Sequence, residues 1–536
     1  MLLETSHKLL ALGGISGVSA QVLVYRYGEW DVKAPALFVS YASLLLGAVV
    51  VEFVAGQNVA PLASIVLCHV AGIYLSMLVY RAFYHPLAKF PGPFLARLSN
   101  FYVTALSAKK LQLYNEVQKL HEQYGDIVRI APTELSIIDP KAVKALHGAG
   151  SKAGKGIWYT VLEPRMNLHM DRDKKSHTQR RRIWDQGFKP EALRCYEPRI
   201  TLYTDQLLAA IDKRLGTTMD MTTWFNYLSF DVMGDMAFGK SFDMLNSGKD
   251  AYLLKQVHED MKMLGLFSHL TWLLPFFKRI PGINADYVKQ WKWITSHVER
   301  RVKNRPDMPD VFSFVLDAFE KGPKTQVDYN YLLGDAYLVV VAGSDTTAVT
   351  MSGLFFNLVR DQALYKALQK ELEPLLPDLS YDRLADCSLL NAAINEALRL
   401  HPAVPSGAQR MTPPEGMMIG DTYIPGNTLI TIPVYTFWRD ERMFARPNEF
   451  LPERWTTQPE LVKDPAAFTP FNIGSHSCVG KQFGLMELRR VIAAIVTHYD
   501  VSFAPGQTEP AYLDATLDAF TAAPAPLQVV FSKRQV

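Results

Sequence analysis

The amino-acid sequence predicts a mainly α fold with small β-sheets, preceded by N-terminal transmembrane helices. Apolar stretches of bilayer-crossing length crowd roughly the first eighty residues, and from about residue 100 onward apolar residues recur at helical spacing. Strand-like runs are few and lie late in the chain. The 536 residues carry 56 Lys+Arg against 53 Asp+Glu, a net charge of +3, so the basic excess of a nucleic-acid binder is missing. A hydrophobic share of 49% against 20% charged excludes disorder as the overall state. Cys68, Cys195, Cys387 and Cys478 lie far apart with no CxxC pair, which excludes a disulfide scaffold and the common zinc motifs. They leave room for one thiolate with a special task.

Taken in order, the apolar stretches run from Leu9 to Tyr25, from Ala34 to about Ala55 and from Val59 to Tyr80. The last two have the roughly 20 residues that a span needs, and the first is shorter. Gly13, Ser16 and Gly17 would let another helix approach the first closely, and Glu52 and His69 need partners inside a small bundle. A cleaved signal peptide is the rival reading of the first stretch, but no small-residue cleavage site comes after it. Arg81, Lys89, Arg97, Lys109 and Lys110 place the remainder of the chain on the cytoplasmic side. Three crossings then put the N-terminus in the lumen, and two put it in the cytosol.

The prolines and glycine between His85 and Pro93 end the membrane unit in a stiff bend. Beyond it the spacing predicts helices over 111–124, 199–213, 221–238, 285–304, 331–360, 361–375 and 388–400, and strands over 428–432 and 527–531. No GxGxxG fingerprint and no P-loop occur, so the chain is not expected to carry a nicotinamide or nucleotide site. The stretch from Ala336 to Val359 is nearly as apolar as the front, but Asp345, Thr346 and Thr347 interrupt it. An acid at a bilayer centre costs about 2.5–3.5 kcal/mol, so this helix is expected in a soluble core.

The segment from Phe471 to Gly480 carries the chemistry. Cys478 precedes a helical run from Lys481 to His498, with Gly474 four residues before it and Gly480 two after. A helix N-terminus favours a thiolate, and small residues let a flat ligand lie against the backbone. A thiolate so placed can ligate haem iron. The bland alternative for a lone cysteine is a buried structural residue. The spacing of Phe471, Gly474, Cys478 and Gly480 argues against it.

With these residues in view, the chain from about His85 onward resembles the cytochrome P-450 family of haem-thiolate monooxygenases, and its filamentous-fungal members in particular. Ala342 to Thr347 resembles the family's oxygen-activation segment. Glu396 and Arg399 match its ExxR pair, Arg454 the arginine that locks that pair, and Phe471 to Gly480 the haem-binding loop. The resemblance implies a membrane anchor over 1–84 and a catalytic domain over 85–536. It implies haem b, iron protoporphyrin IX, ligated by the Cys478 thiolate, with His177, Arg181 and Arg410 on its propionates. Thr346 would hold the oxygen species by hydrogen bond and Asp345 would gate proton delivery from water during insertion of one oxygen atom from O2 into an apolar small-molecule substrate, in fungal secondary metabolism. Electrons would come from NADPH–cytochrome P-450 reductase, on the endoplasmic reticulum membrane with the catalytic domain facing the cytosol. One departure stands out: His476 occupies the position where the family usually has arginine, and an imidazole titrating at pH ~6.5 makes a weaker, pH-dependent propionate contact.

Rival readings are a haem-thiolate isomerase, dehydratase or peroxide-using enzyme, a non-enzymatic multipass membrane protein, and a hydrolase using Cys478 and His476. The Asp345-Thr346 pair argues against the first, the small number of spans against the second, and residues only two apart at a loop–helix junction against the third.

Overall fold

A computed structural model describes residues 2–56 and 60–534; Val59, where the third apolar stretch begins, lies outside the described residues. The front of the chain forms α1 (Leu2–Ala20), α2 (Ala34–Val54) and α3 (Ala60–Val79). Single π-helical turns, Gln21–Tyr25 and Tyr80–Tyr84, extend α1 and α3. α1 and α3 run parallel, with Gly13 against Ile65, Gly17 against His69 and Gly72 against Gly14. A Cβ on Gly17 would stand 1.9 Å from the His69 carbonyl oxygen, and one on Gly72 2.3 Å from that of Gly14, so the backbones touch only because these residues are glycine.

The polar residues of the bundle find partners within it. Ser16 Oγ lies 2.7 Å from His69 Nδ1, Tyr41 Oη 3.2 Å from His69 Nε2, and Tyr25 Oη 2.8 Å from Tyr41 Oη. Glu52 accepts the Leu62 N–H at 2.8 Å. The helical stretches Ser6–Tyr25, Asp31–Val54 and Leu62–Tyr84 are long and apolar enough to cross a membrane, and only 17, 6 and 11% of their most apolar windows is buried by protein. The comparably apolar Gln326–Arg360 is 72% buried, which makes it a core helix, as its central acid requires.

The loop between α1 and α2 returns to the body of the protein. Arg172 donates to both carboxylate oxygens of Glu29 at 2.6 and 2.8 Å, Thr271 Oγ1 donates to Asp31 at 2.6 Å, and Phe38 meets Phe276 edge-on at 5.8 Å. The C-terminal ends of α1 and α3 and the N-terminal end of α2 therefore all lie at the body's side of the bundle.

The body is built around Gln326–Arg360, 35 residues long and thus roughly 52 Å. A capping box between Thr325 and Asp328 starts it, and Asp361, which caps the next helix, ends it. Met221–Phe238 packs along it, with Ser388–Leu400 and Lys481–His498 beside it. Four of the expected helices appear as Leu113–Tyr124, Met221–Phe238, Ala285–Lys303 and Ser388–Leu400. The expected 361–375 divides at Glu373, where Pro374 turns the chain into a short 3₁₀ segment. The expected 199–213 is the second half of Pro190–Asp212, which tolerates Pro198 inside it. Strands Ile127–Ala131, Glu134–Ile137, Leu429–Thr431 and Arg410–Met411 form one sheet in that spatial order, and Gln528–Lys533 sits between Thr218–Asp220 and Tyr499–Phe503 in another.

Candidate active site

Cys478 stands two residues before Gly480, the N-cap of Lys481–His498, and its N–H donates to the Phe471 carbonyl at 2.8 Å. The loop can close this tightly because Gly474 has φ +69°; a Cβ there would stand 2.2 Å from the His147 carbonyl oxygen. Burial pushes the Cys478 thiol up, while the Gly480 and Lys481 N–H groups and the charges of Arg181 and Lys481 pull the other way. The sulfur is deep in the fold yet exposed, because it faces an internal cavity. Gly480 and Gly484 lie on that cavity's wall, and Phe471 lines it under the Lys481 ammonium, 5.6 Å from the ring centroid.

A basic edge runs along the same cavity. Lys174–Gln186, capped by Asp173, projects His177 and Arg181 from one face. Arg181 donates to the Ser477 carbonyl at 2.6 Å and to Asp185 at 2.7 Å, pinning the cysteine loop. His177 Nε2 and His476 Nδ1 lie 3.3 Å apart. Burial first, then the charge of Lys155, pushes His177 down to about 4 and His476 to about 2, so both imidazoles are neutral. Arg410 donates to Tyr159 Oη and to the Gln409 carbonyl, both at 2.9 Å. Lys155 shares the edge, donating to the His169 and Asp171 carbonyls at 2.7 and 2.8 Å; burial pushes it down to about 7. No sequence motif marked Lys155 or His147, which reach this cavity edge only through the fold.

The opposite wall is the central helix. Thr346 lines the cavity with Ala342, Gly343 and Thr347, its hydroxyl donating to the Ala342 carbonyl at 2.8 Å. Asp345 is 4% exposed and neither carboxylate oxygen has a hydrogen-bond partner; His258 Nε2 is 3.5 Å from it. The expected lining on Ala403–Gln409 and around Phe520 and Thr521 is present through Ala403, Val404, Gly407, Ala408, Phe520 and Thr521. Sequence reading missed the far side, contributed by the helices Tyr252–Phe267 and Ala285–Lys303, including an Asp260 carboxylate held by Gln256 at 3.1 Å and Gln290 at 2.7 Å.

Behind the cysteine loop, Glu396 takes Arg399 at 2.8 and 3.0 Å and Arg454 at 2.9 Å, all three side chains fully buried. The Trp455 indole N–H and the Leu451 N–H complete its shell at 2.9 and 3.0 Å. Arg399 also binds the carbonyls of Trp438, Pro447 and Glu449, which holds the chain ahead of the cysteine loop in one path.

The cavity holds about 840 Å³. A flat macrocycle with carboxylate arms fits its chemistry: sulfur on one wall, glycine and alanine surfaces for the ring, and a basic edge. Arg410 Nε and His147 Nδ1 are buried beside it without partners, as donors awaiting acceptors would be. A model of the cytochrome P-450 family matches residues 91–531. This chain belongs to that family.

Similar proteins sharpen the assignment. A cytochrome P-450 monooxygenase of Eupenicillium brefeldianum is 47% identical over 90% of this chain and 98% of its own length. One from Fusarium pseudograminearum is 46% identical over 97% of each chain. A tryprostatin B 6-hydroxylase of Aspergillus fumigatus is 34% identical over 98% of this chain and 96% of its own. This cytochrome P-450 is therefore a haem-thiolate monooxygenase that uses O2, a small-molecule substrate and a redox partner, with three apolar N-terminal helices suited to anchoring it in a membrane.

Proposed function

We propose that this cytochrome P-450 oxygenates an apolar secondary metabolite of a filamentous fungus, with Cys478 as the axial thiolate, His177, Arg181, Arg410 and His476 on the haem carboxylates, and Asp345 and Thr346 delivering protons. The observation that carries the reading is Cys478 Sγ, aimed into the cavity that Thr346 also lines. Haem bound there supplies reductive activation of O2 and transfer of one oxygen atom to carbon. The chain's own residues do the rest. The Gly480 and Lys481 N–H groups favour the charged sulfur, and the buried Glu396–Arg399–Arg454 group keeps its loop in register. Thr346 holds a hydroxyl at the cavity face of the helix. Asp345, buried and without a hydrogen bond, can take protons from His258 3.5 Å away, whose side chain is 39% exposed, and hand them toward Thr346.

Trp158, Leu162, Leu264, Val404 and Phe520 favour an apolar skeleton, and the tryprostatin B 6-hydroxylase of Aspergillus fumigatus supports hydroxylation of a small molecule in a fungus. We read the anchor as three spans of the endoplasmic reticulum membrane, with the N-terminus in the lumen and the domain from residue 85 onward in the cytosol beside NADPH–cytochrome P-450 reductase. The contacts of Glu29 and Asp31 with the body support this, since they hold the first loop on the body's side. The test is microsomal protein with its reductase: the reduced carbon-monoxide adduct should show the red-shifted Soret band of a thiolate ligand, and candidate skeletons should gain one oxygen atom by mass spectrometry. A folded Cys478→Ala variant that kept that band would overturn the ligand assignment.

A further inference from the structure

Where the anchor meets the body, four arginines gather without an ion pair among them. Arg26 at the end of α1 lies over the Tyr80 ring, 4.4 Å from its centroid, and His85 packs on the same ring at 5.4 Å. Arg81, at the end of α3, donates to the Leu98 carbonyl at 2.9 Å, which brings up the short helix Phe94–Leu98 that carries Arg97. Arg129, from the first strand of the four-stranded sheet, donates to the carbonyls of Arg81 at 3.2 Å and Pro132 at 2.7 Å. It is wholly buried, and its Nε and Nη1 have no partner; Arg97 Nε has none either. Among the described residues none of the four forms an ion pair. Asp31, the acid whose field reaches Arg81, is engaged by Thr271.

This arrangement is costly as it stands. A buried charge without an ionic partner is unfavourable, and the like charges of Arg97 and Arg81 close by add to that. Burial, together with the charges of Arg97 and Arg81, pushes Arg129 down to about 10. The cluster lies at the cytosolic end of the spans, and its neighbours Phe83, Tyr84, Phe94 and Leu95 are all more than half exposed. Guanidinium groups inside, with aromatic and aliphatic side chains facing outward at the level where hydrocarbon meets water, match a phosphate that carries acyl chains.

We propose that Arg26, Arg81 and Arg97 form a binding site for the phosphate headgroup of an anionic phospholipid in the cytosolic leaflet, with the buried charge of Arg129 behind them, an inference that rests on reading α1–α3 as membrane spans. The bound phosphate supplies the missing countercharge, and its acyl chains cover the aromatic rim. The lipid would thereby join three separate segments: the end of α1, the end of α3 and the short helix Phe94–Leu98.

The test uses full-length holoprotein in neutral detergent with three probes: dioleoylphosphatidylglycerol, dioleoylphosphatidylcholine and inorganic phosphate. Phosphatidylglycerol should raise the thermal unfolding midpoint by about 2–4 °C, and the other two should leave it in place. The partly or fully exposed pair Arg26→Gln with Arg97→Gln should abolish that shift while the lipid-free midpoint holds, and native mass spectrometry should show the retained phosphatidylglycerol lost. Equal shifts with phosphatidylcholine, a full shift with inorganic phosphate alone, or an undiminished shift in the double variant would each overturn the proposal. Flotation with pure phosphatidylcholine vesicles separates the two readings: failure to float sinks the membrane anchor itself, whereas floating combined with no phosphatidylglycerol-specific thermal shift sinks only this site.

Discussion

Thr346 donates its proton to a carbonyl one turn back, so its lone pairs remain toward the cavity. Replacing it with alanine removes the group that positions the proton but no packing of consequence. Thr346→Ala should keep reductant consumption within a few-fold while product per reductant falls about tenfold and peroxide rises, read by parallel NADPH and product assays. Unchanged coupling would remove Thr346 from the relay. A different single residue sets a pH dependence of stability. Glu487 is fully buried on Lys481–His498, where Ser229 donates to one carboxylate oxygen at 2.8 Å and the other has no partner. Burial pushes it up to about 7. The folded protein thus holds a proton that the unfolded chain releases near pH 4.5, so stability falls as pH rises from there to about 7 and levels above it. Glu487→Gln should raise the melting midpoint at pH 8 and leave it nearly unchanged at pH 5; equal effects at both would mean that the carboxyl is already ionised at pH 5.

At the level of elements, the short 3₁₀ turn Pro452–Trp455 matters because Arg454 on it closes the charge group on Ser388–Leu400. Arg454→Leu would strip one cation from Glu396 and leave the Ala445 carbonyl without a donor, while the Arg446 and Leu461 carbonyls keep the Glu449 and Ala445 N–H groups. The cost should be about 3–5 kcal/mol, seen as a lower denaturation midpoint and loss of haem on gel filtration. Arg454→Lys should recover only part, because an ammonium cannot reproduce the guanidinium fork. In the anchor, Gly17→Val would force α1 from α3, whereas Gly47→Val meets nothing within 4 Å. Only the first should lower the detergent melting point. These elements differ in how far the sequence discloses them. The cysteine loop and the Glu396–Arg399 pair read clearly because each depends on residues close together in the chain. The helices Tyr252–Phe267 and Val311–Lys321 were not anticipated, and with the first went Asp260 and His258. Lys155 and His147 belong to the basic edge only through contacts that join segments far apart in the chain, which no local pattern announces.

For the molecule as a whole, the apolar lengths at the front disclosed membrane segments but left two or three spans open. That number turns on a pair of residues 143 apart, Glu29 and Arg172, which no periodicity could connect. A glycosylation acceptor appended before α1 should be modified in microsomes, and one placed between Gly28 and Lys33 should not; the reverse pattern would invert the assigned topology. The central helix gave the opposite lesson, since a stretch as apolar as a span was placed in the core by a single aspartate.

The grip of Arg172 and Thr271 on the first loop has a mechanical consequence. A globule hung from one stalk can swivel and nod in every direction above a bilayer. Pinned at a second point, beyond the stalk that enters at His85, it is restricted to rocking about the line joining the two pins. Which flank of the enzyme faces the lipid is then biased by the chain itself, and trimming away its first two helices would release a rotation that this second contact opposes.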